Sequence, residues 1–226
     1  MTWSLVGSEL LGDSANDHFG SHVTISGDGT VIAVSAPDDD AVGSDSGQVK
    51  AYKNNSGTWE LIGTFNGESS GDKFGHAVRL SEDGSVIAIS SCLDDGNGSN
   101  SGHVRVFSYN SGTSWSQIGS DIDGASSGDL FGRDISLSND GSIVAIGSQD
   151  HDGGKGHVRI FQNNSGSWQQ IGSDIDGEAG GDESGKSVSL SGDGTVVAIG
   201  APGNDGGAED AGHVRVFQNN SGSWQQ

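Results

Sequence analysis

The chain is short of cysteine and of positive charge, and it has no long hydrophobic run. Its one cysteine, Cys92, excludes an internal disulfide and a cysteine-based zinc cluster. Cys92 closes the apolar run VIAISSC and reads as a small buried hydrophobe, not as a reactive thiol. Lys and Arg number 10 against 31 Asp and Glu, a formal net charge of −21. Phosphate-backbone affinity comes mainly from cationic contacts, so nucleic acid is not an expected partner. Such a charge keeps molecules soluble and apart unless cations screen it, which suits salty or calcium-containing water. No stretch approaches the roughly 18 apolar residues of a membrane span, and no basic-then-apolar leader opens the chain. The expectation is a soluble chain with no membrane insertion.

Glycine is plentiful, at 40 residues, while hydrophobic residues make up 31% and recur in short runs. That combination points to many short strands and turns and not to disorder. All five tryptophans fall on one frame, Trp3, Trp59, Trp115, Trp168 and Trp224, with spacings of 56, 56, 53 and 56. Periods of this size mark arrays in which each unit is one supersecondary element. The units span approximately 3–58, 59–114, 115–167 and 168–223, and residues 224–226 begin a fifth. A single domain over 1–226 is expected.

Within a unit the hydrophobic period is 2, which gives four strands. A Trp strand such as TWELIG comes first, then a strand such as HAVRLS, then one such as SVIAIS, then one such as GHVRVF. Asp-Gly pairs at 28–29, 83–84, 140–141 and 193–194 join the second and third strands. Asp-Gly tolerates positive φ, so those strands form tight antiparallel hairpins. The turns NNSG and YNSG return the chain to the next Trp strand. Four antiparallel strands per unit predict an all-β fold, a four-bladed β-propeller.

Phe19-Gly20, Phe74-Gly75 and Phe131-Gly132, with Ser184-Gly185 as a degenerate fourth copy, and Gly200-Ala201-Pro202, with SAP at 35–37, resemble the FG-GAP repeats of integrin α-subunit propellers and related bacterial and algal surface proteins. The resemblance implies a propeller at the cell surface or outside the cell. It also implies a calcium loop between the FG and GAP strands, but here that loop has shrunk to SGDGT, SEDGS, SNDGS and SGDGT. Calcium wants six to eight oxygens and one aspartate cannot supply them, so no metal or other cofactor is expected there. The later loops hold Asp38, Asp39, Asp40 and Asp45, or Asp205, Glu209 and Asp210, and vary too much between copies for a designed cage.

Other candidate chemistry is repeated too. His103, His157 and His213 recur in GHVR and read as strand-start residues, with Gln48 in the first copy. Asp17, Asp72, Asp129 and Asp182 read as turn formers that bond backbone N–H groups. Asn54, Asn97, Asn163 and Asn219 open N-x-S sequons and are candidate N-glycosylation sites. Catalysis needs a singular constellation that breaks the repeat, and none is legible, so no enzyme is expected. The expected function is an extracellular binding or structural module with an unknown protein or glycan ligand. A lectin with one pocket per blade is one alternative, and part of a longer self-assembling array is another. Two segments compete to complete the last blade, TWSLVG at 2–7 and SWQQ at 223–226. The longer N-terminal one is expected to close the ring, which leaves a spare terminal strand for self-association.

Overall fold

The computed structural model describes residues 2–110 and 114–226. Residues 111–113, with the Ser-Gly half of the YNSG turn, lie outside the described residues. The described residues form four antiparallel sheets. The first is β1 (Val23–Ile25), β2 (Val31–Ala36), β3 (Gln48–Asn55) and β4 (Thr58–Asn66). The second is β5 (Val78–Leu80), β6 (Val86–Ser91), β7 (His103–Asn110) and β8 (Ser114–Gln117), with β9 (Ile122–Asp123) also on β7. The third is β10 (Ile135–Leu137), β11 (Ile143–Ser148), β12 (His157–Asn163) and β13 (Trp168–Gln170), with β14 (Ile175–Asp176) on β12. The fourth is β15 (Ser187–Leu190), β16 (Val196–Ala201), β17 (His213–Asn220) and β18 (Ser223–Gln225). A four-residue helical turn, α1 (His151–Gly154), carries Asp152 and Gly153 at positive φ.

The local chemistry explains the hairpins. In each S-x-D-G turn the aspartate accepts three kinds of bond: for Asp140, from Ser138 Oγ at 2.7 Å, from the Ser142 N–H at 2.9 Å and from the Ser142 hydroxyl at 2.8 Å. Ser138 Oγ in turn accepts the Ile143 N–H at 2.9 Å, so the turn and the start of β11 are fixed together. The bonds hold the Asp28 carboxyl below the usual range, that from Ser26 first and those from Thr30 next. Asp193 is lowered the same way by Ser191 and then Thr195.

Each sheet draws its last strand from the Trp segment that opens the next sequence unit. Three apolar cores then lie between consecutive sheets. Between the first and second sheets Val49, Ala51 and Phe65 meet Phe74, Val78, Ile87 and Ile89. Between the second and third, Val104, Val106 and Ile122 meet Phe131, Ile135, Val144 and Ile146. Between the third and fourth, Val158, Ile160 and Ile175 meet Val188, Val197, Ile199 and Phe217. Phe74 and Phe131 are fully buried, and Phe19 is half-buried.

The expected closed four-bladed ring is corrected here. Among the described residues no core cluster joins the fourth sheet to the first, and Val23, Ile25, Val214 and Val216 on their outer faces are more than half exposed. The four sheets form an open row. The expected N-terminal clasp is also corrected. Residues 2–7 form no strand and Trp3 is 97% exposed, while β17 takes β18 as its partner through the adjacent hairpin.

The later tryptophans are half-buried, and Trp115, Trp168 and Trp224 pack against the cores between consecutive sheets. Each indole N–H of Trp59, Trp168 and Trp224 donates at 2.9 Å to a carbonyl three residues after the preceding Trp, that of Val6, Ile118 and Ile171. Trp115 breaks the series: its indole nitrogen is buried and has no hydrogen-bond partner among the described residues. We predict that Trp168→Phe costs about 1 kcal/mol, the worth of one hydrogen bond, and Trp168→Ala about 3 kcal/mol, measured by denaturant unfolding. Equal costs for the two variants would contradict the interlocking role of the indole.

Candidate functional site

One side-chain cluster joins the second unit to the start of the third. His103 begins β7, Glu68 follows β4 and Asp121 precedes β9, and one polar atom from each lies within 4.8 Å of the others. His103 is 2% exposed; its Nδ1 is 3.2 Å from Asp94 Oδ1, and its Nε2 is buried with no hydrogen-bond partner among the described residues. Arg105 is buried beside it, stacks 4.2 Å over the Phe74 ring and donates to Glu68 at 3.1 Å. Burial lowers the Arg105 pKa, and burial followed by the neighbouring Asp121 raises that of Asp123. A metal ion would have to displace Arg105 from Glu68. The third unit has Ala125 where the second has Glu68; the fourth keeps Glu178 and Arg215, 3.8 Å apart, and His213, whose Nε2 is likewise buried with no hydrogen-bond partner among the described residues.

Two grooves recur at equivalent places. Gly119–Asp123, Arg159, Phe161 and Trp168 line one of about 290 Å³, and Gly172–Asp176, Arg215, Phe217 and Trp224 line one of about 450 Å³. Gln117 Nε2 donates to Asp121 at 2.6 Å, and Gln170 Nε2 to Asp174 at 2.6 Å, which aims one carboxylate into each groove. In the second sheet aromatic packing takes this place, with Phe65 4.8 Å from Phe107 and 5.4 Å from Trp115.

The remaining residues singled out in the sequence are dispersed. Asn54, Asn163 and Asn219 each accept a bond from a turn glycine, at 2.9, 2.7 and 2.8 Å, which leaves the amide nitrogen outside that bond. Asn97 is exposed and its Nδ2 donates to the Gly124 carbonyl at 3.0 Å. Asp72, Asp129 and Asp182 accept backbone N–H bonds at 2.8, 2.8 and 2.9 Å. Asp38 and Asp45 pair with Lys73, and Asp40 accepts the Asp45 N–H. Burial pushes the Cys92 thiol up to about 11.

Residues 12–52 and 65–107 match the FG-GAP repeat family. These two segments are FG-GAP repeats. No curated protein matches it. Two crystal structures share the fold of these FG-GAP repeats. One, from Bacteroides uniformis, is described as a "putative 6-phosphogluconolactonase"; it is 17% identical with a TM-score of 0.61, over 90% of this chain and 52% of that one. The other, from Bacteroides fragilis and described in the same words, is 18% identical with a TM-score of 0.51, over 70% of this chain and 40% of that one. The chain thus spans about half the length of these structures or less. At such identity the likeness is one of fold.

The expectation that the chain is no enzyme is corrected by these neighbours, because the fold occurs in proteins described as enzymes. That expectation rested on finding no constellation that breaks the repeat. The Glu68–His103–Asp121 cluster departs from the third unit, where Ala125 replaces the glutamate, and it was illegible because its members stand far apart in sequence.

His157, the counterpart of His103 in the next unit, is fully buried and stacks on His151 with ring centroids 3.9 Å apart. Neither of its nitrogens has a hydrogen-bond partner among the described residues; Asp174 stands 3.6 Å away. Burial first, and the His151 charge next, lower its pKa to about 4. His76 is likewise lowered to about 4 by burial and then by Arg133. The unfolded chain takes up these protons near pH 6.5 and the folded chain only near 4, so the unfolded state binds more protons between those values. This stability is complete above about pH 6.5 and is lost as the pH falls toward 4. The melting temperature should therefore drop across that window, and His157→Gln should flatten the drop; an unchanged slope in the variant would contradict the buried neutral imidazole.

Proposed function

We propose that this chain works outside the cell or on its surface, as a binding and structural module for adhesion or scaffolding whose four sheets are propeller blades. The observation that supports this most is the recurrence of one groove in consecutive units, each with two aspartates, an arginine and a tryptophan. Carboxylates accept hydrogen bonds from hydroxyls and the face of an aromatic ring stacks on an apolar sugar face, so the chemistry favours a glycan ligand. The net charge of −21 disfavours an anionic one.

A calorimetric titration against neutral oligosaccharides tests this reading. The expectation is at least one binder, weakened about tenfold by Asp121→Asn or Asp174→Asn, a loss of about 1.4 kcal/mol. No binding across the set, or binding untouched by both substitutions, would contradict it.

A second reading rests on the His103 imidazole clustered with the Glu68 and Asp121 carboxylates, its buried Nε2 without a hydrogen-bond partner among the described residues, a set of groups that could serve as a general base on a lactone. Incubation with an uncharged sugar lactone should then show hydrolysis that His103→Gln abolishes. A rate equal to the uncatalysed one would remove this reading.

A further inference from the structure

Every junction between consecutive sheets repeats the same parts. A pair of apolar residues on the third strand of one sheet packs against the first strand of the next: Val49 and Ala51 against Val78, Val104 and Val106 against Ile135, Val158 and Ile160 against Val188. A ladder of backbone bonds links the S-x-D-G turns, from the Gly27 N–H to the Glu82 carbonyl at 2.7 Å, from Glu82 to Asn139 at 2.8 Å and from Asn139 to Gly192 at 2.8 Å. A third part is a backbone slot. A Cβ at Gly47, Gly102 or Gly156 would lie 2.2, 2.1 or 2.1 Å from the carbonyl oxygen of Phe74, Phe131 or Ser184 in the next unit, so each glycine admits the neighbouring chain.

The two ends of the row hold these parts unmatched. On the fourth sheet Val214 and Val216, the counterparts of the buried valine pairs, are 68% and 51% exposed. On the first sheet Val23 and Ile25, the counterparts of Val78 and Leu80, are 67% and 60% exposed. Gly192 has an N–H and Gly27 a carbonyl with no backbone partner among the described residues, and these are the two atoms that another rung of the ladder requires. At Gly212, the fourth slot glycine, a Cβ would meet only its own Pro202, no closer than 3.0 Å.

We propose that these two end faces bind each other between two copies of this chain, head to tail, and that two copies close one ring. The occupant is a second copy because each face is the complement of the other, in apolar positions, ladder atoms and slot, by continuity with three junctions already formed in the chain. The ring follows from length. The row aligns over 90% of its residues with 52% of the Bacteroides uniformis structure, so that structure has room for two rows of this length. Two copies of four sheets give eight, within the range of about four to eight blades that propellers use. A head-to-tail contact that closes makes a finite assembly with two identical junctions. The contact is face on face and does not require a spare terminal strand. It extends the reading of the sheets as blades and is independent of the groove aspartates.

Light scattering on the 226-residue chain after size separation tests it. The expected mass is twice the 22.9 kDa of the chain, with dissociation on dilution and tighter association at high salt, because salt screens the charge of −21 on each copy. Ile25→Asp and Val216→Asp should each give monomers with an unchanged circular dichroism spectrum; Val23→Asp and Val214→Asp replace either one that fails to fold. Mixing the two monomeric variants should restore dimers, since the intact tail of one meets the intact head of the other. A mass of 22.9 kDa at every concentration and salt, a dimer that both variants leave intact, or no rescue on mixing would overturn the proposal. A mass that grows without limit would overturn the closed ring.

Discussion

A four-stranded sheet of this repeat has two apolar faces and can bury them only against the sheets on either side. That constraint organises the rest of the molecule. It places Phe74 and Phe131 at full burial between sheets, and it requires Gly47, Gly102 and Gly156 to carry no side chain where the next unit's backbone passes. It also places the Trp strand of one unit at the outer edge of the preceding sheet, so that Trp168 and Trp224 reach across to an older carbonyl. Stability in such a row is a sum of unit and junction contributions, and it is greatest where a sheet has two neighbours.

The backbone repeats, but the chemistry on it does not. Equivalent hairpins bring Glu68, His103 and Asp121 together at one junction, while the next junction substitutes Ala125 and stacks its buried histidine on His151. The grooves at Asp121 and Asp174 recur because they are made from the strand break itself, where Gly119 and Gly172 adopt positive φ and let the Ile-Asp pair return to the start of the same neighbouring strand. In the first sheet β4 runs on without that break, with an irregularity opposite Ala51 and Tyr52. A scaffold of this kind separates what folds from what acts.

Much of this was legible in the sequence. The tryptophan frame and the Asp-Gly turns are local signals, and they located the strands and their antiparallel order. The open row was not legible, because closure depends on the angle between sheets that no short segment encodes. The N-terminal clasp failed for a related reason. Leu5 and Val6 are apolar enough for a strand, but β17 is reached by Ser223–Gln225 through a tight turn held by Asn219, and closing a loop of nearly the whole chain costs more entropy. The strands β9 and β14 were missed because Gly-Ser within the Trp segment reads as a turn to a loop. The His103 cluster was missed because it joins three segments that only the sheet-to-sheet packing brings together.

Native-state hydrogen exchange, at a concentration where the chain is dispersed, tests the dependence on sheet-to-sheet burial most directly. The account predicts that amides of β6 and β11, in the sheets with two neighbours, exchange more slowly than the matching amides of β2 and β16, each in a sheet with one. Equal protection across all four sheets would contradict it, since each sheet would then be stable on its own hydrogen bonds and would not need its neighbours.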